Sequence, residues 1–282
     1  MSAPVMRILI SADMEGATGV TWPADVEPGT EQWQRCRVMF TSDVNAAVAG
    51  FFDGGADEVV VNEAHATMRN LLLEDLDERA VLLTGRHKDL TMVEGIQDPA
   101  VSGVAFVGYH TGAGSEGVLA HTYLANSITG VWVDGEPASE GRLNALVAAE
   151  YGVPVVLVTG DDRTCLDAGG YAPAARTVAV KDCVSRYAAV CRPPGVTRTA
   201  IRAAATEAVS LATRHEPVDG HGYEVEVEFD AAHLAAATAL VPGVRRVGVR
   251  RVAYRSASAY DLIRCFKTVT TMAYAAIEDH YG

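Results

Sequence analysis

The first two thirds of the chain alternate short β-branched runs with longer segments in which apolar residues recur at helical spacing. This alternation is typical of a mostly parallel sheet covered by helices. We therefore predict an α/β fold, a mostly parallel sheet flanked by helices. The predicted strands are Val5–Ala12, Glu58–Asn62, Ala80–Leu83, Val104–Tyr109, Val153–Thr159 and Thr177–Val180.

The longest predicted helix lies between the first two strands and runs from Thr30 to Phe52. Thr30 suits its N-cap, and Gly54-Gly55 ends it. Five apolar residues at helical spacing predict its buried stripe: Val38, Phe40, Val44, Ala47 and Val48.

A second helix is predicted over Ala138–Tyr151. It follows a further predicted strand, Ile128–Val133, and a tight turn at Asp134-Gly135. This segment later supplies one of the candidate site residues.

The clearest break in composition is Cys191-Arg-Pro-Pro-Gly195, where neither a helix nor a strand can continue. We predict a domain over residues 1–192 and a smaller α+β unit over residues 193–282, which is within the usual size range of a small domain. The elements predicted for the smaller unit are a helix at about Thr197–Arg214, a strand at Tyr223–Phe229, a helix from Asp230, a strand pair around Val244–Tyr254 and a last helix from Ser258 to about Asp279.

The formal net charge is −13, from 36 acidic and 23 basic residues, without a long run of either sign. Such a surface repels nucleic acid and anionic membranes, so we expect neither as a partner. A cationic ligand, such as a metal ion or an amino group, fits the charge better.

The five cysteines, Cys36, Cys165, Cys183, Cys191 and Cys265, are scattered and form no Cys-x-x-Cys pair. We interpret them as reduced thiols of a cytosolic protein. The N-terminal segment lacks the basic leader and apolar core of a secretory signal, and no apolar stretch approaches membrane-spanning length. We therefore expect a soluble, cytoplasmic protein.

Acids and histidines follow several of the predicted strands. Asp13 and Glu15 stand two positions apart at the end of the first strand, where an extended chain points both carboxylates to one side. His65 and His110 follow the second and fourth predicted strands. Sites in open α/β sheets form at the carboxyl ends of the strands. The placement therefore predicts a metal site built across the sheet.

Carboxylate oxygen and imidazole nitrogen suit Zn²⁺, Mn²⁺ or Co²⁺. A site for two ions about 3.5–4 Å apart would need a bridging carboxylate and roughly five ligands. We expect the fifth ligand in the helix that opens after Asp134-Gly135, where Glu136 and Glu140 are both candidates.

The segment Gly112-Ala-Gly-Ser-Glu-Gly117 matches the G-x-G-x-x-G pattern, and Asp134 lies about twenty residues further on, as in a dinucleotide-binding fingerprint. That fingerprint needs a helix starting inside the motif. The following stretch is β-branched and polar, so we favour a flexible loop near His110. His121, just after the loop, could reach the same cleft as an acid, a base or an oxyanion donor.

Three further charged residues follow predicted strands. For Asp161-Asp162 the simpler interpretation is that one of them caps the next helix, and the alternative is capture of a substrate ammonium group. Lys181 is interpreted as a solvated lysine whose position makes it worth testing. The remaining histidines have no such context and are treated as surface residues: His87, His215, His221, His233 and His280.

The chain resembles the zinc D-aminopeptidases of the DppA type, a family of metallopeptidases. The motifs that carry the resemblance are Ser11-Ala-Asp-Met-Glu-Gly16, Val61-Asn-Glu-Ala-His65, Met92-Val-Glu-Gly95, Gly108-Tyr-His110, Ala120-His121, Ser139-Glu-Gly-Arg-Leu-Asn-Ala145 and Thr159-Gly-Asp-Asp162. They occur in the family's order, and the resemblance is strongest before residue 190.

The resemblance implies a two-zinc site whose ligands are Asp13 as the bridging residue, Glu15, His65, His110 and Glu140. It implies a catalytic role for His121, release of small D-amino acids such as D-Ala from short peptides, and homo-oligomers in the form of ten-subunit rings. Two alternatives stay open: a metal-dependent aminopeptidase or amidohydrolase acting on L-peptides, and a dinucleotide-binding oxidoreductase that uses the 112–117 loop.

Overall fold

The computed structural model describes residues 5–218 and 222–278. Its strands, in chain order, are β1 (Arg7–Ala12), β2 (Glu58–Glu63), β3 (Ala80–Leu83), β4 (Val101–Val107), β5 (Ile128–Val133), β6 (Glu136–Pro137), β7 (Val155–Asp161), β8 (Arg176–Ser185), β9 (Ala188–Cys191), β10 (Tyr223–Phe229), β11 (Arg245–Arg246) and β12 (Arg251–Ser256). Its α-helices are α1 (Pro23–Val26), α2 (Glu31–Asp53), α3 (Glu140–Glu150), α4 (Asp162–Tyr171), α5 (Pro194–Ala208), α6 (Ala232–Thr238) and α7 (Ala259–Ala275).

Among these residues, seven strands form the larger sheet in the order β3-β2-β1-β4-β7-β8-β9. All neighbours are parallel except β8 and β9, which form an antiparallel hairpin at the edge. The mostly parallel sheet is therefore confirmed. Of its seven strands, the sequence pattern missed only β9, at the edge. The chain builds outward from β1 in one direction through β2 and β3, then returns to β4 on the other side. The gap between β1 and β4 is thus a topological switch point, where α/β sheets bind ligands.

The two faces of the larger sheet bury separate apolar clusters. Alternate residues of β1 point to opposite faces: Ile8 and Ile10 pack with Phe40 of α2 and Ile201 of α5, whereas Leu9 belongs to the cluster on the other face. The flanking helices therefore cover both faces of the sheet.

Thr30 caps α2 as predicted, because its hydroxyl oxygen accepts a hydrogen bond from the backbone N–H of Trp33 at 3.0 Å.

The smaller sheet is antiparallel, with the described strands in the order β11-β12-β10-β5-β6. It combines β5 and β6 from before residue 192 with three strands from after it, while α5 packs on α2 against the larger sheet. The predicted boundary at 192/193 consequently does not separate the two sheets, because β10, which follows the boundary, pairs with β5, which precedes it. The division into separately folding units stays a prediction. Of the predicted last helix, Asp279 lies outside the described residues.

No helix in residues 5–218 or 222–278 has the length and apolar character needed to cross a membrane.

Asp43 is a buried carboxylate that links α2 to the loop after β1. Its oxygens accept hydrogen bonds from the backbone N–H and the hydroxyl of Thr18, at 2.8 and 3.0 Å. Burial nevertheless raises the pKa of Asp43 from 3.8 to about 6. A carboxyl whose pKa is higher in the folded state binds more protons there, so its contribution to stability is present below about pH 4 and is lost as the pH rises through about 6.

We expect the free energy of unfolding of the wild type to fall by roughly 2–3 kcal/mol relative to that of Asp43→Asn between pH 4 and pH 7. The asparagine keeps the size and the acceptor oxygen but cannot ionise. Urea unfolding of both proteins at several pH values measures the difference, and titrating groups that do not interact with Asp43 cancel in the comparison. Parallel stability curves would contradict the prediction.

Candidate metal centre

The candidate residues are assembled where β1, β2 and β4 end at one level. Ala12 at the end of β1 pairs with Glu63 of β2 on one side and with Val107 of β4 on the other. Asp13 follows directly, and its backbone N–H donates to the Val107 carbonyl at 2.8 Å. The three loops that leave these strands therefore start side by side, as the strand-end argument predicted.

Two glycines hold the β1 and β4 loops in direct backbone contact. The N–H of Gly16 donates to the carbonyl of Gly108 at 2.8 Å. A Cβ on Gly16 would lie 1.9 Å from the Tyr109 carbonyl oxygen, and one on Gly108 would lie 2.0 Å from that of Asp13. Gly108 also has a φ of +75°. No larger residue fits either position, so the glycines set how closely the two loops approach.

Two groups of side chains with metal-ligating atoms share Asp13. The first comprises Asp13, Glu15 and His65, and the second comprises Asp13, His110 and Glu140; all five residues are buried. Nδ1 of His65 lies 3.5 Å from Oδ1 of Asp13 and 2.9 Å from Oε2 of Glu15. The structure thus brings together all five residues that the resemblance implies as ligands.

The second group lies on the other oxygen of the shared carboxylate. Nε2 of His110 is 3.3 Å from Oδ2 of Asp13 and 3.5 Å from Oε2 of Glu140. Asp13 therefore turns one oxygen to each histidine. This arrangement allows a single carboxylate to contact two neighbouring cations.

Backbone carbonyls orient the two histidine rings. Nε2 of His65 donates to the Val26 carbonyl of α1 at 2.8 Å, which leaves Nδ1 facing the carboxylates. Nδ1 of His110 donates to the Thr111 carbonyl at 2.9 Å, which leaves Nε2 facing them. Such partners fix the tautomer of a ligating histidine. Each ring thus turns an unprotonated nitrogen inward when it is neutral.

Among the five buried candidate ligands, called the cluster below, carboxylates and histidines shift one another's pKa values. Burial alone lowers the pKa of His65, but the carboxylates of Glu15 and Asp13 outweigh it, and the pKa lies well above its usual value. The pKa of His110 is raised in the same way against burial, by Glu140 and Asp13. Burial raises the pKa of Glu15, but the neighbouring histidines lower it by more, so this pKa lies well below its usual value. The buried carboxylates therefore favour positive charge beside them, whether from protons or from a metal ion.

Glu140 and Glu136, the two candidates left open by the strand-and-helix pattern, occupy different environments. Glu140 is the first residue of α3, which Ser139 caps, and its Oε1 accepts a hydrogen bond from the N–H of Tyr123 at 2.7 Å. Glu136 lies exposed on the two-residue strand β6. Only Glu140 is near the other carboxylates.

His121 lies beside the cluster. Its ring stacks on that of His110 with the centroids 4.2 Å apart, and its Nε2 is 3.8 Å from Oε1 of Glu15. Nδ1 is engaged by the Leu119 carbonyl at 2.8 Å. Its side chain keeps 14% of its surface exposed, against 2% for His110. His121 can therefore meet a molecule that enters the cleft.

A cavity of about 360 Å³ opens onto the cluster. Asp13, Glu15 and Glu140 are its acidic lining residues, while α7 and the loop after β3 contribute Arg86, Lys88 and Lys267. No motif in the sequence marked these three cations, because the loop and the helix meet only in the folded chain. His87, which the sequence analysis treated as a surface residue, is exposed and also lines the cavity. His221 and His280 lie outside the described residues.

The loops around the cavity carry most of the unusual backbone conformations. Of the eight described non-glycine residues with positive φ, seven lie in residues 66–91 and 119–125: Ala66, Met68, His87, Thr91, Leu119, Tyr123 and Ala125. Backbone conformations of this kind cost free energy and cluster at functional sites. The cavity walls are thus held in shapes that isolated loops would avoid.

Lys181 is fully buried, which corrects its interpretation as a solvated lysine. Its ammonium group donates to the carbonyls of Glu15, Ala17 and Val20, at 2.6, 3.0 and 2.6 Å. Burial lowers its pKa to about 8. The side chain therefore fastens the loop that carries Glu15 to β8, a role that only the tertiary structure reveals.

Asp161 caps α4, as the simpler interpretation predicted. Its carboxylate accepts hydrogen bonds from the N–H and hydroxyl of Thr164, each at 2.7 Å, and from the N–H of Val118 at 2.7 Å. Asp162 accepts one from the N–H of Cys183 at 2.6 Å. Neither residue lines the cavity, so the ammonium-capture alternative finds no support in this geometry.

The glycine-rich segment forms a loop. Residues 108–127, all of which the structure describes, contain neither a helix nor a strand, and the next element is β5. A dinucleotide fingerprint needs a helix N-terminus at the pyrophosphate. The segment therefore lacks the structure that the oxidoreductase alternative requires.

The chain is similar to known proteins over nearly its whole length. A family model described as D-aminopeptidase, Peptidase M55, matches residues 6–268. A D-aminopeptidase of Bacillus subtilis (strain 168) is 31% identical over 278 residues, which cover 98% of this chain and 100% of that protein. A solved structure, the Zn-dependent D-aminopeptidase DppA from Bacillus subtilis, described as a self-compartmentalizing protease, superposes with a TM-score of 0.89 at 31% identity. The superposition covers 95% of this chain and 98% of that one.

Proposed function

Because the chain belongs to the D-aminopeptidase family, Peptidase M55, we propose that it is a dinuclear zinc aminopeptidase acting on short peptides. It would release a small N-terminal D-amino acid such as D-Ala. The sharing of Asp13 between two carboxylate–histidine groups carries this proposal. Two-metal hydrolytic sites hold their ions about 3.5–4 Å apart, a separation that the two oxygens of one carboxylate can bridge. The preference for D-residues is proposed from the family alone.

The donor set fits zinc. We assign Asp13, Glu15 and His65 to one ion and Asp13, His110 and Glu140 to the other. Oδ2 of Asp13, Oε2 of Glu15 and Nε2 of His110 are buried without a hydrogen-bond partner within the described chain. Buried polar atoms in that state are costly unless something compensates them, and a cation would do so. The same nitrogen and oxygen donors accept Mn²⁺ or Co²⁺.

Bound in this site, zinc would lower the pKa of a water molecule towards neutrality and polarise the carbonyl of the scissile peptide bond. The residues around it supply orientation and proton transfer. The Val26 and Thr111 carbonyls hold the proton of each neutral ring on its outward nitrogen, so that the inward nitrogens of His65 and His110 would bind the ions. The loop contacts of Gly16 and Gly108 keep Asp13 and His110 together.

We assign the proton transfer to His121. Because its Nδ1–H is held by the Leu119 carbonyl, Nε2 is the atom that gains or gives up a proton. Protonated there, His121 would donate a hydrogen bond to the oxyanion of the tetrahedral intermediate, or its proton to the leaving amine.

We further propose that the protein acts in the cytoplasm as a homo-oligomer, with two stacked pentamers as the expected assembly. The solved relative is described as self-compartmentalizing, which supports an assembly that encloses its sites. Sedimentation of the purified protein would test the expected number of subunits.

The proposal is tested by hydrolysis of D-Ala-D-Ala and L-Ala-L-Ala, with zinc added and with a chelator. We expect cleavage of the D-dipeptide alone, its loss with chelator and its return when zinc is restored. Cleavage of the L-dipeptide would overturn the stereochemistry and keep the mechanism. A protein that holds two zinc ions per chain and cleaves neither would overturn the peptidase assignment.

A further inference from the structure

The cavity above the candidate metal centre is lined by charges of both signs. Its acidic lining residues are the three cluster carboxylates, and its basic ones are Arg86, Lys88 and Lys267. Within residues 5–218 and 222–278, none of these three cations lies in an ion pair with a carboxylate. Three unpaired cations converging on one cavity are unexpected in a chain of net charge −13.

Neutral acceptors hold the three side chains in place. Nε of Arg86 donates to the Ala66 carbonyl at 3.0 Å, and Nζ of Lys267 to the Lys88 carbonyl at 2.6 Å. Nζ of Lys88 donates to Oδ1 of Asn62 at 2.6 Å and to the carbonyl of Glu63 at 2.5 Å. An ammonium group has three N–H donors and a guanidinium five. Each cation therefore keeps at least one donor for a ligand.

An anionic ligand would also offset an existing cost. Lys88 is half-buried, and burial lowers its pKa to about 8. A negative group beside it would stabilise its charged form. Carboxylates match both the charge and the hydrogen-bonding geometry of arginine and lysine donors.

We propose that Arg86, Lys88 and Lys267 bind the C-terminal carboxylate of the peptide substrate. This inference rests on the proposed peptidase function and narrows its substrate class to very short peptides with a free C-terminus. The zinc end of the cavity receives the amino-terminal residue. The same cavity of about 360 Å³ is lined by the candidate metal ligands and by the three cations, so a short peptide bound at the metal centre would have its C-terminal carboxylate beside them.

The test compares an alanyl-alanine dipeptide, of whichever handedness the enzyme cleaves, with the same dipeptide carrying a C-terminal amide. We expect the zinc-loaded wild type to favour the free acid by at least about 10-fold in kcat/KM, since hydrogen bonds to charged groups are among the strong ones. The double variant Arg86→Gln, Lys267→Gln should lose this preference through a higher KM for the acid. Its kcat/KM for the amide, which has no carboxylate to lose, should fall much less than its kcat/KM for the acid.

Arg264→Gln is the matched control, because Arg264 lies one turn earlier on α7, outside this cavity. It should keep the wild-type preference. Equal cleavage of acid and amide by the wild type, or an unchanged preference in the double variant, would overturn the carboxylate site and leave the peptidase function standing. Cleavage of neither dipeptide by zinc-loaded wild type would remove the peptidase function, and the carboxylate site with it.

Discussion

Asp13→Asn protein is expected to purify without its full zinc content and to hydrolyse peptides no faster than the uncatalysed background. Asp13 belongs to both carboxylate–histidine groups and turns one oxygen to each. The asparagine keeps the shape of the side chain, but it removes the negative charge and replaces one oxygen with an NH₂ group that repels cations. Mutation of residues that only hydrogen-bond to metal ligands typically lowers metal affinity or activity by about 10–100-fold. Loss of a ligand shared by both groups should therefore lower them further.

Metal analysis and peptide hydrolysis on the same preparations measure this result, and two variants make it specific. Asp43→Asn also neutralises a buried aspartate, but outside the cluster, and should keep both zinc and activity. His121→Ala should keep its zinc and lose rate by about 10²-fold or more, as expected for an acid–base residue. An Asp13→Asn enzyme with two zinc ions per chain and wild-type kcat would refute the shared-ligand assignment.

Gly16→Ala is expected to destabilise the protein by more than about 3 kcal/mol, beyond the usual range for overpacking. The added Cβ would lie 1.9 Å from the Tyr109 carbonyl oxygen and 2.6 Å from the carbonyl carbon of Gly108. These are backbone atoms, which cannot rotate away as a side chain would. The loop after β1 and the loop after β4 must then separate, which also pulls Asp13 from His110.

Gly169→Ala provides the control, because a Cβ at Gly169 in α4 meets no atom within 4 Å. In an open helical position alanine should be neutral or stabilise by up to about 1 kcal/mol. Urea unfolding and zinc content of the two variants give the comparison. If Gly16→Ala is too unstable to purify while Gly169→Ala behaves as wild type, the prediction holds. Equal stability of the two would show that the loops can move apart at little cost.

The parts of the structure that the sequence predicts are those set by local pattern. The strands of the larger sheet are apolar runs, and a polar residue after such a run marks where the strand ends. Because parallel strands end at one edge of a sheet, Asp13, Glu15, His65 and His110 could be grouped without knowing any distance. Thr30 as the cap of α2 is equally local, since it depends on the three residues that follow it.

The parts that escaped prediction depend on contacts between distant segments. β5 reads as a strand, but no local signal tells that it pairs with β10 rather than joining the larger sheet. Lys181 looks like any lysine after a strand, and only the folded chain places three carbonyls around it. Local pattern also left Glu136 and Glu140 equivalent, until the structure showed one exposed on β6 and the other buried at the start of α3.

The hydrogen bonds of Lys181 to the loop after β1 also determine when this loop can be fixed in place during synthesis. The Lys181 ammonium bonds the Glu15 carbonyl across 166 positions of the chain. At about 5–20 residues per second, the ribosome needs roughly 10–30 seconds to advance from the acidic loop to this lysine. Throughout that interval the nascent chain carries Asp13 and Glu15 on a loop without its anchor, and Glu140 appears only late in it. Because metal binding is coupled to folding, we expect the nascent chain to bind zinc stably only after Lys181 has been synthesised and fastens this loop.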